Sequence, residues 1–142
     1  MRAPLGREWL AANLPHQGSM SLLDEILAWD ASSIEGLARR HRATDHPLRR
    51  NGILPVAAGI EYGAQLAAAH GALCEGAPSG PGLLASVRGV RFEASRLDDI
   101  EGALHVRAEQ LGAGESGVVY RFEVASGGRL LVAGRLAVAF GA

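Results

Sequence analysis

An α+β fold, in which a curved antiparallel sheet of about five to six strands wraps one long central helix, is what this 142-residue chain predicts. Three observations carry that prediction. The stretch "LPVAAGIEYGAQLAAAHGALC", residues 54 to 74, is almost entirely small or apolar, with helix-forming residues throughout. After Gly82 the chain alternates apolar and polar residues with a period of two. Between these regions stands "EGAPSGPG", where Gly76, Pro78, Gly80 and Pro81 break any regular element.

Taken in order, "GREWLAANLP" forms a short helix that Pro15 ends. Two extended segments follow, "SLLDEILAWD" and "SIEGLARRHRA", separated by the turn composition "DASS". Pro55 suits the first turn of the central helix, which runs to about Leu73 or Cys74. In the later strands Leu104, Val106 and Ala108 alternate with His105, Arg107 and Glu109, and Val118, Tyr120, Phe122 and Val124 alternate with Val119, Arg121 and Glu123. Such alternation belongs to antiparallel strands with one wet face. "GAGESG" and "ASGGR" supply hairpin turns, and "LLVAGRLAVAF" is the last strand. A helix without a polar face must be covered over most of its circumference, and a sheet curved around it does so. The layout is the hot-dog arrangement, a single domain over residues 1–142. Its sheet edges call for at least a dimer.

Composition narrows the function. All 14 basic residues are Arg, set against 15 acidic ones, so the chain is close to neutral. Neutrality argues against a general nucleic-acid or membrane-surface binder. The absence of lysine excludes Schiff-base chemistry and a Walker-type phosphate loop. Cys74 is the only cysteine, which excludes an intramolecular disulfide and a multi-thiolate zinc site. The opening residues lack the apolar core of a signal peptide, and no run reaches the roughly 18 apolar residues of a membrane span, so a cytoplasmic location is expected.

Two polar residues interrupt the apolar helix. Glu61 and Gln65 lie four apart and share a face, with Tyr62 beside them. A buried, unpaired carboxyl holds its proton, because desolvation penalises the charged form, and a neutral carboxyl can serve as a general acid. Alternatively, this face opens to solvent at a subunit boundary and Glu61 is simply hydrogen-bonded to Gln65. Among the five histidines, His16 and His46 stand at Pro-marked bends next to ordered elements, where loops carry chemistry, whereas His41, His70 and His105 sit inside regular segments. No H-x-H or H-x-x-x-H spacing occurs, so no metal site is expected. Arg39, Arg40, Arg42, Arg49 and Arg50 crowd together before the helix, either as a solvated face or as a patch that steers an acidic or phosphorylated partner.

The pairing of "LPHQGSMSLLDEIL" with "LPVAAGIEYGAQLAAAH" resembles the 3-hydroxyacyl-[acyl carrier protein] dehydratases of the FabA/FabZ hot-dog family. Leu14, Pro15, His16, Leu22, Leu23 and Asp24 fit the family's opening motif, and Pro55, Glu61, Ala64 and Gln65 fit its helix motif. The combination P-H-Q-G-x-M, R-x-G-x-L-P and G-I-E-Y-x-A-Q is more similar still to the dehydratase-like branch found with aryl polyene biosynthesis clusters. The resemblance implies elimination of water from a 3-hydroxyacyl thioester on acyl carrier protein, giving the trans-2-enoyl thioester. It implies Glu61, contributed by the neighbouring subunit, as the acid, His46 as the base, and His16, Gln65 and Tyr62 as supporting residues. Backbone N–H groups of Val56 and Ala57 would hold the thioester oxygen. The Arg cluster would dock a phosphopantetheine-bearing carrier protein, and no cofactor is implied. In place of the family's HFPG-x-P-x-x-PG loop, "TDHPLRRNGILPV" sets His46 one residue further from Pro55 and puts Val56 where Gly is usual. The expected assembly is a homodimer or higher homo-oligomer, with a heterodimer as the alternative, and two further functions fit the same residues: a weakly catalytic or silent hot-dog subunit that pairs with a true dehydratase, and a hot-dog acyl thioesterase.

Overall fold

In the computed structural model, which describes residues 2–78, 80 and 82–140, the chain begins with helix α1 (Arg7–Asn13) packed through the buried Leu10. A hairpin of β1 (Glu25–Trp29) and β2 (Ser33–Ala38) follows. Its turn is closed by Asp30, whose carboxylate accepts the N–H groups of Ser32 and Ser33 at 2.9 and 2.8 Å. Both strands are shorter than the extended segments the sequence suggests. Asp24 ends their pairing: its carboxylate accepts the Arg39 N–H at 2.6 Å and the Arg40 side chain at 2.8 Å, drawing the chain off the ladder.

After the Arg-rich loop, a 3-10 turn (Val56–Ala58) preceded by Pro55 leads into α2 (Gly59–Glu75). Gly76 closes the helix at φ 67°, a left-handed conformation that glycine adopts without penalty, and its N–H bonds to the Ala72 carbonyl. Of the expected breakers, Pro81 lies outside the described residues. Strands β3 (Gly82–Phe92), β4 (Leu104–Gly114), β5 (Gly117–Ser126) and β6 (Arg129–Phe140) complete one antiparallel sheet in the order β1-β2-β4-β5-β6-β3. Along β5 the alternation holds as the sequence dictates: Tyr120, Phe122 and Val124 are buried, while Arg121 and Glu123 face water. Strands β1 and β3 are the edges.

Helix and sheet approach closely because glycines permit it. A Cβ at Gly59 would stand 2.5 Å from a Val132 methyl, and one at Gly63 would stand 2.8 Å from the Phe122 ring. The opposite lane of α2 is looser. Glu61, Ala64, Ala68, Gly71 and Glu75, spaced three and four apart, stay partly open or exposed along it, as do Ile60 and Cys74 beside its two ends. Covering of the helix is thus incomplete along one stripe, and Glu61 stands on it. No helix among the described residues is long and apolar enough to cross a membrane.

Gly63→Val, which forces a branched side chain into Phe122, is expected to destabilise the fold by about 2 kcal/mol or more. Gly71→Ala, where nothing lies within 4 Å of the new methyl, is expected to stabilise it by about 0.5–1 kcal/mol. Urea unfolding midpoints of the two variants check this; equal shifts would show that the close approach at Gly63 does not constrain the fold.

Candidate active site

Pro15 ends α1 and turns the chain so that His16 stands over the first turn of α2. Gln17 secures this bend, its amide donating to the carbonyls of Ala11 and Leu14 at 2.9 and 3.1 Å. From there His16 Nε2 comes within 3.5 Å of Glu61 Oε1. Both side chains are partly accessible, at 26% for His16 and 32% for Glu61. His16 Nδ1 is buried without a partner. Gln65, fully buried, clamps the same segment from the helix: its Oε1 accepts the Leu22 N–H at 3.0 Å and its Nε2 donates to the Met20 carbonyl at 2.7 Å.

Of the two states that the sequence leaves open for Glu61, the structure favours the ionised one on a half-open face. The hydrogen bond from His16 lowers its pKa below the ordinary glutamate value; burial opposes this, and the His16 charge and a hydrogen bond from Gln65 reinforce it. Desolvation alone would give the neutral acid, one of the two alternatives. With a third of the side chain open and a donor ring beside it, the carboxylate form wins. Because the folded pKa is depressed, ionised Glu61 contributes to stability at neutral pH, and that contribution is lost as pH falls through the folded pKa.

His46 is placed elsewhere. It is buried at 8% exposure, and its Nδ1 accepts the Leu48 N–H at 3.1 Å while its Nε2 lies 2.9 Å from the Tyr62 hydroxyl. Since a backbone N–H only donates, the neutral ring carries its proton on Nε2 and gives it to the Tyr62 oxygen. Desolvation first, then the charges of Arg40 and Arg49, lower its pKa and keep it neutral. Within the chain the structure therefore brings His16, not His46, to Glu61, and it leaves His46 with neither nitrogen free. Tyr62 is likewise interior, its hydroxyl pKa pushed up by burial.

Other expected site residues divide. The Val56 N–H is taken by the Ser95 carbonyl at 3.2 Å and does not face a substrate, while Ala57 stands exposed at the helix start. In the Arg cluster, Arg39 pairs with Glu25 at 3.1 Å and Arg40 with Asp24 at 2.8 Å. Arg49 is turned inward and donates to the carbonyls of Ala43, Gly52 and Arg42, so it braces the loop rather than presenting charge. Arg42 and Arg50 are exposed and have no carboxylate partner among the described residues. Asp98, whose role the sequence did not suggest, anchors the same loop by accepting the Leu54 N–H at 2.9 Å beside the Arg96 guanidinium, which holds its pKa well below the carboxylate range.

Beyond the Glu61–His16 pair, a cavity of about 420 Å³ runs along the open lane of α2. Its walls include Ala64, Ala68 and Gly71 from the helix and Val118, Tyr120 and Val138 from the sheet. Such a space, with small and apolar residues along its middle, His16 and Glu61 towards the start of the helix and His70, Glu75 and Tyr120 further along, can hold an extended chain and deliver its reactive end to a proton-transfer pair. Among the described residues no group of three or more His, Cys, Asp and Glu side chains is placed to hold a metal ion.

Tyr62→Phe deprives His46 Nε2–H of its acceptor and is expected to destabilise the protein by about 1–3 kcal/mol. Denaturant unfolding measures this; an unchanged midpoint would mean that the His46–Tyr62 bond does not hold the loop.

Comparison with known proteins agrees with this architecture. The dehydratase heterocomplex ApeI:P from Xenorhabdus doucetiae superposes with a TM-score of 0.84 at 22% identity, over 100% of this chain and 93% of that one. Zebra fish thioesterase superfamily member 2 gives 0.66 at 14% identity over 94% and 92%. A mutant thioesterase from Pseudomonas aeruginosa gives 0.58 at 17% identity over 81% and 78%. These likenesses show the hot-dog fold. A search of curated proteins found no match. The family model described as ApeP dehydratase matches residues 9–140, and the chain belongs to the ApeP-like dehydratase family.

Proposed function

We propose that the chain eliminates water from 3-hydroxyacyl thioesters carried on acyl carrier protein, giving trans-2-enoyl thioesters. The observation that supports this most directly is the Glu61–His16 pair at one end of an elongated cavity, in a chain of a dehydratase family. Glu61 is the catalytic residue and His16 Nε2–H holds its carboxylate in place. The carboxylate takes the proton from C2, the C2–H electrons form the C2–C3 double bond, and the C3–O bond breaks. The same proton passes from Glu61 to the departing hydroxyl, which leaves as water and restores the carboxylate. Ala57, exposed in the 3-10 turn that leads into the helix, is the backbone donor for the developing charge on the thioester oxygen, where the positive helix end favours it. Arg42 and Arg50 are the charges left to meet an acidic carrier protein.

An ionised, accessible carboxylate also suits hydrolysis of a thioester, which makes thioesterase activity the second reading. The decisive assay incubates purified protein with a 3-hydroxyacyl pantetheine thioester and follows enoyl absorbance and free thiol together. Enoyl product without thiol is expected, with kcat falling about a hundredfold or more in Glu61→Gln. Thiol without enoyl would replace dehydration by hydrolysis, and silence that ends only when a second hot-dog chain is added would make this chain the supporting subunit. Activity should also persist to pH values below the ordinary glutamate pKa, since the working form is the carboxylate.

A further inference from the structure

Part of the cavity wall is polar where an alkyl chain needs nothing polar. His70, fully buried on α2, faces Tyr120 of β5, with the Tyr120 hydroxyl 2.6 Å from His70 Nδ1 and the two rings edge-on at 5.6 Å. On its other side His70 Nε2 lies 2.8 Å from the Asp30 backbone carbonyl. That carbonyl can only accept, so Nε2 carries the proton; in the neutral ring Nδ1 is then an acceptor, and the Tyr120 O–H donates to it. The hydrogen-bond chain has a direction. It leaves the Tyr120 oxygen with an unused lone pair on a residue that lines the cavity, next to the side chain of Gln110. Burial pushes the Tyr120 pKa up and keeps the group a phenol. His70 stands nine positions after Glu61, so it lies about 14 Å along the helix from the reacting end.

We infer that Tyr120 is a specificity-determining residue: its oxygen accepts a hydrogen bond from a hydroxyl or amino group borne on the distal half of the acyl chain, so that the site selects such chains over plain alkyl chains of equal length. This deepens the dehydratase reading, on which it rests for the identity of the ligand as an acyl thioester. Nothing about the reaction itself requires a polar wall at this distance from Glu61. A pair that served only to tie helix to sheet would not need to line the cavity.

Binding isolates the proposal from turnover. Three pantetheine amide analogues of one length, reaching about 14 Å past Glu61 and ending in methyl, methoxy or hydroxyl, are titrated into the full chain. The hydroxyl analogue is expected to bind about tenfold more tightly than both others, the gain of one neutral hydrogen bond. In Tyr120→Phe that ratio falls to near unity, with affinity for the methyl analogue unchanged within about twofold. Only two tyrosines are present, so ring-carbon labelling resolves Tyr120 in the unmutated protein. Its Cζ resonance is expected to shift with the hydroxyl analogue and not with the methyl one, which decides the matter even where the variant folds poorly. Equal affinity for the three analogues, tighter binding of the methoxy analogue than the hydroxyl one, or a preference that survives Tyr120→Phe overturns the inference. Should the enoyl assay fail while the hydroxyl preference holds, the reaction assigned to the site is wrong and the selectivity stands.

Discussion

The approach of His16 Nε2 to the Glu61 carboxyl, at 3.5 Å, is the interaction on which the candidate site depends. Two effects act on the Glu61 carboxyl with opposite sign: removal from water favours the neutral form, and a donor ring at 3.5 Å favours the ion. The donor prevails because the carboxyl stands on the one lane of α2 that the sheet leaves open, where desolvation is incomplete. Everything else at the site keeps that contact in place. Gln65 clamps residues 20 to 22 to the helix, Gln17 secures the bend after Leu14, and Pro15 stops α1 so that the next residue turns over the helix start.

Packing explains why that lane exists at all. Gly59 and Gly63 bring one side of α2 against Val132 and Phe122 at distances no other residue would allow. With the helix drawn onto the sheet along that side, the small residues Ala64, Ala68 and Gly71 on the other side leave space that no large side chain fills, and the cavity occupies it. Large residues at these positions would have produced a filled core and no room for a chain. The fold, the cavity and the half-open carboxylate thus follow from one distribution of small residues around a single helix.

Much of this was readable in the sequence. The period-two alternation placed Tyr120, Phe122 and Val124 inward, and the apolar helix demanded a wrapping sheet, so the hot-dog architecture followed from patterns that burial enforces directly. Glu61 was also visible, as a carboxyl in a helix that is otherwise almost entirely small or apolar. Its charge state was not, because that depends on how far the lane opens and on which histidine arrives, and both are set by contacts remote in sequence. His46 illustrates the same limit. The sequence marks the loop only by its Pro; what it does not announce is that Arg49, Asp98 and the His46–Tyr62 bond brace the loop within one chain. The His70–Tyr120 pair had one usable signal: an inward tyrosine on β5 must find a partner for its hydroxyl, and a helix histidine is such a partner.

Titration of the Glu61 carboxyl by carbon-detected NMR, in the unmutated protein and in His16→Ala, tests the central claim most directly. The account predicts a midpoint below that of an ordinary glutamate in the first case. In the second it predicts a rise to or above the ordinary value, since the largest lowering influence is gone and desolvation remains. A Glu61 midpoint that starts above the ordinary value, or one that does not move when His16 is removed, would contradict it.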